Sequence, residues 1–425
     1  MTGRIACDYA VRELRPTRIE TLLKTTQLLQ NTLRMPIGSH PFDTVFMGAS
    51  NLVIVLPTQH WGGNLQTALD ALLIALSRLQ IPDNEITLLL ANGTSKPLAA
   101  IALKKLLGGS ILQTRKVVQH DCLAGSDMEF AGKGTNGTTI FLNRLLLEAD
   151  EIILFSPITY NAAMGYSGGP ELIIPGCASH DTIQAVQNSI FKVGTREIHS
   201  GCRDGVTSGN PLHACLKETF AKIPVKFGIY PILNQANKIV AIRSGHPLQA
   251  FLACRSIVDA VNGIVISRQA DMTIVGCGGS PNDSTFKHAM TALHRAAYAT
   301  KPGGIIILVA ACKKGIGSSG IPSLLHNKAI SRKIGYKKRE SVIDMFGSQS
   351  LKIYTSTFII YCISAMETQA INKMGLRPVS SLQDALDEAQ KKLHPESLAY
   401  IISDGTVTVP RLVKMSQPHL NTAVP

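Results

Sequence analysis

Residues 51–97 read NLVIVLPTQHWGGNLQTALDALLIALSRLQIPDNEITLLLANGTSKP and decide the fold. The apolar run Asn51–Leu56 stops at Pro57, which indicates a buried strand. Leucines recur three and four residues apart within Asn64–Leu79, so this segment predicts an amphipathic helix. A second apolar run, Ile86–Ala91, predicts the next strand. Strand, helix and strand in this order predict a parallel sheet whose ligands bind beyond the carboxyl ends of its strands.

The same pattern continues and then restarts further along the chain. Glu151–Phe155 predicts another strand, and it leads into the glycine- and proline-containing loop Ser156–Gly176, whose length is typical of a functional loop. A new strand at Asp271–Val275 begins a second set of elements. We therefore predict an α/β protein of two domains, residues 1–266 and 267–425, each with a mainly parallel sheet. The two domains are expected to face each other across a cleft that binds a ligand.

The composition is that of a folded protein, with 45% hydrophobic and 17% charged residues. No apolar run reaches the roughly 18–20 residues of a membrane span, and the N-terminus has no apolar signal core. We therefore expect a cytoplasmic protein that does not bind a membrane. None of the nine cysteines forms a CxxC pair, which argues against a disulfide framework or a structural zinc site.

The formal net charge of +13 raises the question of a nucleic-acid partner. The positive charge is spread along the chain, however, and only 5% of the residues are aromatic, so side chains that stack on bases are scarce. The densest basic stretch, Lys328–Arg339, is predicted to be solvated. A small anionic ligand is the preferred interpretation, and no nucleic-acid partner is expected.

Several motifs, spread in order over residues 36 to about 320, resemble one known family, the nickel-dependent lactate racemases. The motifs are Pro36–Pro41, Ala91–Thr94, His120-Asp121, Gly134–Gly137, Gly165–Gly169, Pro175–Ser179 and Gly279–Asp283. The resemblance implies a two-domain α/β fold and racemisation or epimerisation of 2-hydroxy acids. It also implies a nickel pincer nucleotide that is tethered to a lysine and held by a histidine, with two further histidines as acid/base groups.

The residues that carry this chemistry differ in the present sequence. The lysine of the tether falls at Glu171, the metal histidine near Gln187, and the two acid/base histidines at Ser95 and Asn161. A carboxylate cannot form the lysine's link to the cofactor, and an amide is a poor nickel ligand beside imidazole. Neither a serine hydroxyl nor an asparagine amide titrates near neutral pH, so neither replaces a histidine base. We therefore expect no tethered nickel cofactor and no metal site.

Other positions of the family pattern give candidate ligand contacts. An aspartate and an arginine of the first turn fall near Thr58 and Trp61, and a glutamine and a lysine of the second domain fall at His288 and Thr291. The remaining candidates for binding the ligand are Thr94, Lys96, Gly168 and Gly169. Glycines in such a turn favour close approach of a ligand to the backbone, although a tight turn alone also requires them.

Two histidines are the candidate catalytic residues, His60 in the first turn after a strand and His288 at the start of a helix. His60 and Trp61 have two equally good interpretations. They are either an acid and a stacking platform, or side chains that fill a vacated pocket.

Three hypotheses follow for the whole chain. The first is a diverged relative that binds a small anion, either a 2-hydroxy acid or a nucleotide-like molecule. The second is an active isomerase that uses other residues, and the third is a regulatory or interaction protein.

Overall fold

The structure is a computed structural model that describes residues 9–58, 62, 65–134, 137–220, 223–317 and 342–413. The predicted site residues His60 and Trp61 and the basic stretch Lys328–Arg339 lie outside the described residues.

The strands and helices are numbered in chain order. The strands are β1 (Ala10–Glu13), β2 (Leu52–Pro57), β3 (Ile86–Ala91), β4 (Lys116–Gln119), β5 (Met128–Lys133), β6 (Thr139–Asn143), β7 (Glu151–Phe155), β8 (Thr159–Asn161), β9 (Gly165–Ser167), β10 (Val225–Leu233), β11 (Ile239–Gly245), β12 (Gly263–Ile266), β13 (Ala270–Gly276), β14 (Thr300–Val309), β15 (Ile359–Ile363), β16 (Arg377–Pro378), β17 (Leu398–Ile402) and β18 (Val409–Leu412). The helices are α1 (Thr25–Arg34), α2 (Phe42–Phe46), α3 (Leu65–Arg78), α4 (Ala100–Leu107), α5 (Gly109–Thr114), α6 (Leu145–Glu148), α7 (His180–Gln187), α8 (Pro211–Phe220), α9 (Pro247–Asn262), α10 (Phe286–Ala299), α11 (Val342–Thr357), α12 (Thr368–Lys373) and α13 (Leu382–Gln390).

The N-terminal unit comprises residues 17–262 with residues 342–350 and is built on a six-stranded sheet. Its strand order is β11-β10-β7-β2-β3-β4, and every neighbouring pair is parallel except β10 with β11. In the central strand β2, the residues from Leu52 to Leu56 are buried. A parallel strand that is covered on both faces is apolar throughout, which explains why β2 and β3 read as continuous apolar runs.

The C-terminal unit comprises residues 9–16, 263–317 and 351–413. Its six-stranded sheet has the order β1-β17-β13-β14-β15-β16, and all its pairs are parallel. The core on this sheet includes Met272, Ile305 and Ile307. Both sheets are therefore mainly parallel, which confirms the predicted α/β class.

The division of the chain differs from the predicted domains 1–266 and 267–425 in three places. One of them is β12, because residues 263–266 belong to the C-terminal unit. The N-terminal strand β1 belongs to the C-terminal unit, where Ala10 pairs with Leu398 of β17. All four residues of β1 are exposed, so no apolar pattern marks it in the sequence. The start of α11, residues 342–350, belongs to the N-terminal unit. Within the described ranges, no helix combines the length and the apolar character that crossing a membrane requires.

Candidate functional site

A cavity of about 300 Å³ lies in the N-terminal unit, at the carboxyl ends of three neighbouring strands. Pro57 and Thr58 line it at the end of β2, the turn 91–95 after β3, and Ser156 and Pro157 after β7. The carboxyl ends of parallel strands meet at one edge of a sheet, and ligands bind at that edge in α/β proteins. The cavity is therefore the candidate site of this unit.

Apolar side chains complete the wall of the cavity. They come from the loop after β7 and from α7 and α8, and they are Met164, Leu172, Ile174, Val186, Leu212 and Leu216. Ile343, in the first turn of α11, also lines the cavity. The backbone N–H of Val342 donates a hydrogen bond of 3.0 Å to the Oε1 atom of Gln184, which attaches the start of α11 to α7.

The segment between β7 and α7 is a compact structure and not an open loop. It contains the antiparallel pair β8 and β9 and then a short 3-10 helix, Gly169–Leu172. Gly168 has a φ of +89°, and a Cβ atom there would lie 2.3 Å from the carbonyl oxygen of Pro157. Only glycine fits both constraints, so the close approach of two backbone segments requires it.

Two N–H groups of this glycine turn already have acceptors within the protein. The backbone N–H of Gly168 donates to Oε2 of Glu171 at 2.7 Å, and the Ser167 hydroxyl donates to the same oxygen. The backbone N–H of Gly169 donates to the Ser156 hydroxyl oxygen at 2.8 Å. The sequence predicted that Gly168 and Gly169 would approach a ligand. Gly168 lines the cavity, whereas Gly169 is absent from its lining and a Cβ on it would lie 2.8 Å from the ring of Phe251.

The turn after β3 brings Asn92, Thr94 and Ser95 to the cavity. The backbone N–H of Ser95 donates to the carbonyl oxygen of Asn92 at 2.9 Å, and that of Gly93 donates to the carbonyl oxygen of Gly176, also at 2.9 Å. The first bond closes the turn, and the second attaches it to the end of the segment that follows β7. Lys96, one residue further, is exposed and does not line the cavity.

Asn161 and Gln187 complete the polar part of the wall. Oδ1 of Asn161 accepts the backbone N–H groups of Ala163 at 2.9 Å and Met164 at 3.0 Å. Gln187 is the last residue of α7, whose N-terminus is capped by Ser179. Its side chain is buried, and its Oε1 atom has no hydrogen-bond partner in the described structure.

The structure therefore brings together most of the positions that the sequence singled out in this unit. Thr58, Thr94, Ser95, Asn161, Gly168, Glu171 and Gln187 all line one cavity. Asn92, which lies in the motif Ala91–Thr94, lines the cavity as well. In the described part of the chain, no group of three or more His, Cys, Asp or Glu side chains is arranged to hold a metal ion.

The predicted residues His288 and Thr291 lie on α10 of the C-terminal unit. The Nδ1 atom of His288 lies 3.0 Å from the hydroxyl oxygens of both Ser284 and Thr285. Burial lowers the pKa of His288, and the positive charges of Lys287 and Lys314 lower it further. His288 is therefore a neutral imidazole near pH 7, with a ring that local hydroxyls orient.

His120 is a structural histidine. It is fully buried, its Nε2 atom lies 3.0 Å from the carbonyl oxygen of Ala178, and its Nδ1 atom lies 3.3 Å from the side-chain nitrogen of Asn143. Burial lowers the pKa of His120. The surroundings of the ring fit a structural role.

Family profiles match two long segments of this chain. The profile described as lactate racemase N-terminal domain matches residues 2–197, and the one described as lactate racemase C-terminal domain matches residues 265–409. The chain is 25% identical over 394 residues to a lactate racemase of Thermoanaerobacterium thermosaccharolyticum. It is 24% identical over 392 residues to a lactate racemase of Lactiplantibacillus plantarum. Each alignment covers 90% of both chains.

Solved structures with the same fold agree with these matches. The lactate racemase apoprotein from T. thermosaccharolyticum has a TM-score of 0.83 and 23% identity to this chain, and the alignment covers 95% of each. A crystal structure of a protein from Thermotoga maritima has a TM-score of 0.63 and 16% identity, and the alignment covers 93% of this chain and 100% of that one.

Proposed function

This chain belongs to the lactate racemase family, and from that premise we propose that it binds a small ligand non-covalently in the cavity of its N-terminal unit. In this proposal it does not carry the tethered nickel cofactor that the family resemblance implies. The proposal depends on Glu171, which the family resemblance places at the position of the tether. Its carboxylate accepts hydrogen bonds from Ser167 and Gly168 and closes the turn beside the cavity.

The residues at the other cofactor and acid/base positions do not fit that cofactor either. Gln187 offers an amide oxygen where the family has an imidazole, and amides are weak ligands of nickel. Asn161 uses its side-chain oxygen to accept two backbone N–H groups, and its amide does not take up a proton near pH 7. Ser95 likewise has no group that titrates in this range. We therefore derive no catalytic step that passes through a nickel cofactor.

The class of the ligand is a separate question. An anion, either a 2-hydroxy acid or a nucleotide-like molecule, stays the prediction from the sequence. Among the described residues that line the cavity, Glu171 is the only one with an ionisable side chain.

An active 2-hydroxy acid isomerase that uses other residues is the second candidate function. One observation favours it, namely the hydroxyl groups of Ser284 and Thr285, which lie 3.0 Å from Nδ1 of His288 and orient its ring. Burial lowers the pKa of His288, so the imidazole is neutral near pH 7. His60, the other candidate base, lies outside the described residues.

Intact-protein mass spectrometry tests the proposal directly. The full chain is purified from its native host, and a family racemase that carries the lysine is expressed in the same cells to show that the cofactor is made. We expect a chain of 45.7 kDa with no nucleotide attached and with nickel far below one equivalent. A covalent nucleotide increment together with one equivalent of nickel would overturn the proposal.

A further inference from the structure

The hairpin of strands β8 and β9 has one face on the cavity and one face turned away from it. Thr159 and Ser167 are paired directly opposite each other, and both line the cavity. Tyr160 and Tyr166 form the next pair of the hairpin. Since successive side chains of a strand point to opposite faces, the two tyrosines lie on the back of the hairpin. A group that binds them can therefore hold this wall of the cavity from behind.

One carboxylate oxygen binds both tyrosines. The hydroxyls of Tyr160 and Tyr166 each donate a hydrogen bond of 2.6 Å to Oδ1 of Asp259, which belongs to helix α9. Distances this short are typical of a hydroxyl that donates to a carboxylate, and such bonds are about twice as strong as those between neutral groups. The two buried rings stack with their centroids 5.3 Å apart. Asp259 thus fixes both strands of the hairpin to one helix.

The turn of the hairpin is held by a second set of hydrogen bonds. Nδ2 of Asn210, whose side chain is buried, donates to the carbonyl oxygen of Ala163 at 2.9 Å. Oδ1 of Asn161 accepts the backbone N–H groups of Ala163 and Met164. Asn161 lines the cavity, so its side chain is fixed within a turn whose two strands Asp259 holds.

We infer that Asp259 is a positioning residue of the candidate site. Asp259 is not among the residues that line the cavity, and it acts through the two tyrosine hydroxyls. The hairpin that it holds presents Thr159, Asn161 and Ser167 to the cavity. A wall that is ordered when the protein folds does not have to be ordered when a ligand binds, which favours binding. The inference rests on the proposed function, since the position of this wall matters to a ligand in the cavity.

The reactivity of a thiol on the cavity face tests the inference without any ligand. Thr159→Cys in the full chain places a thiol on this wall, and its alkylation by iodoacetamide is followed by peptide mass spectrometry. Asp259→Leu removes the acceptor of both tyrosines, so the released hairpin should expose the thiol and raise its alkylation rate at least fivefold. Ser256→Ala, an exposed change in the same helix, should leave this rate unchanged.

Cys122 separates positioning from a general loss of stability. This cysteine is buried in the same unit, so its alkylation reports opening of the unit as a whole. We expect Asp259→Leu to leave the alkylation rate of Cys122 within twofold of its original value. An equal acceleration at Cys122 and at position 159 would overturn the inference, and so would an unchanged rate at position 159.

The tyrosine hydroxyls provide a second set of variants that retain the rings. Tyr160→Phe combined with Tyr166→Phe should reproduce the fivefold increase. Adding Asp259→Leu to this pair should raise the rate little further, because groups of one hydrogen-bonded network do not act independently. Asp259→Asn keeps an acceptor oxygen and should have a smaller effect than Asp259→Leu. Effects of the tyrosine and Asp259 changes that simply multiply would overturn the inference, whereas the proposed function depends on the intact mass of the protein and fails separately.

Discussion

The carboxylate of Glu171 lies 2.7 Å from the backbone nitrogen of Gly168 and closes the turn on which the 3-10 helix Gly169–Leu172 begins. The hydroxyl of Ser167 donates to the same oxygen. Hydrogen bonds to an ionised acceptor are stronger than those between neutral groups. Glu171, which the sequence predicts to stand at the tether position, is thus a structural cap of the cavity wall as well as its only described ionisable group.

Glu171→Ala should therefore destabilise the protein, because two donors lose their acceptor. The loss of a helix cap costs about 0.5–2 kcal/mol, and we expect a decrease in the free energy of unfolding within that range. Chemical denaturation of the full chain measures it. Glu129→Ala removes an exposed carboxylate and should change the free energy of unfolding by no more than about 0.5 kcal/mol. Equal effects of the two substitutions would contradict the capping role.

Gly168→Ala should be among the most damaging single changes in this wall. The new Cβ atom would lie 2.3 Å from the carbonyl oxygen of Pro157, in a backbone conformation with a φ of +89°. Gly48→Ala is the matched control, since φ there is +75° but no atom lies within 4 Å of the new Cβ. We expect a cost of about 1–2 kcal/mol for Gly48→Ala from backbone strain alone and a clearly larger loss for Gly168→Ala. Similar melting temperatures of the two variants would exclude the steric clash.

His294 should make the stability of the C-terminal unit depend on pH. Burial, with a smaller effect of the Arg295 charge, lowers the pKa of this histidine from 6.5 to about 4, and its Nδ1 atom lies 2.7 Å from the hydroxyl oxygen of Tyr354. Between these two pH values the unfolded chain binds a proton that the folded protein does not. Neutral His294 therefore contributes fully to the free energy of unfolding above about pH 6.5. This contribution is lost as the pH falls towards 4, by about 3 kcal/mol in total.

His294→Gln removes this titration and should flatten the loss of stability between pH 7 and pH 4.5. Urea denaturation at the two pH values, compared with wild type, gives the difference. His394→Gln is the control, because its side chain is exposed. An unchanged pH dependence in His294→Gln would show that His294 is not the titrating group.

Racemisation of lactate should be undetectable beside that of family members that carry the tethering lysine. Loss of general-base help alone lowers a rate by about 10²–10⁴-fold, and Ser95 and Asn161 offer no base. Interconversion of D- and L-lactate and of longer 2-hydroxy acids is measured with nickel and the assembled cofactor supplied. Robust turnover that disappears in His288→Ala or His60→Ala would instead establish the isomerase hypothesis. Turnover that both variants retain would contradict the placement of the catalytic residues.

The amino-acid pattern alone was sufficient for the central strands of both units. The run before Pro57 and the run Ile86–Ala91 are apolar throughout because both faces of β2 and β3 are covered, and this property is local to each segment. The ordered motifs likewise sufficed to predict the family, which the profile matches confirm. They also predicted that Glu171 and Gln187 stand where the family has other residues.

Only the tertiary structure decided what the exposed and polar groups do, because their partners are distant in sequence. Strand β1 has four exposed residues and is defined by backbone hydrogen bonds to β17, nearly the whole chain away. The acceptor at Asn92 is oriented by the carbonyl oxygen of His120, 28 residues further on. A side-chain amide has the same composition whether its oxygen is paired or free. Whether that oxygen is paired therefore follows from the positions of its neighbours and not from its identity.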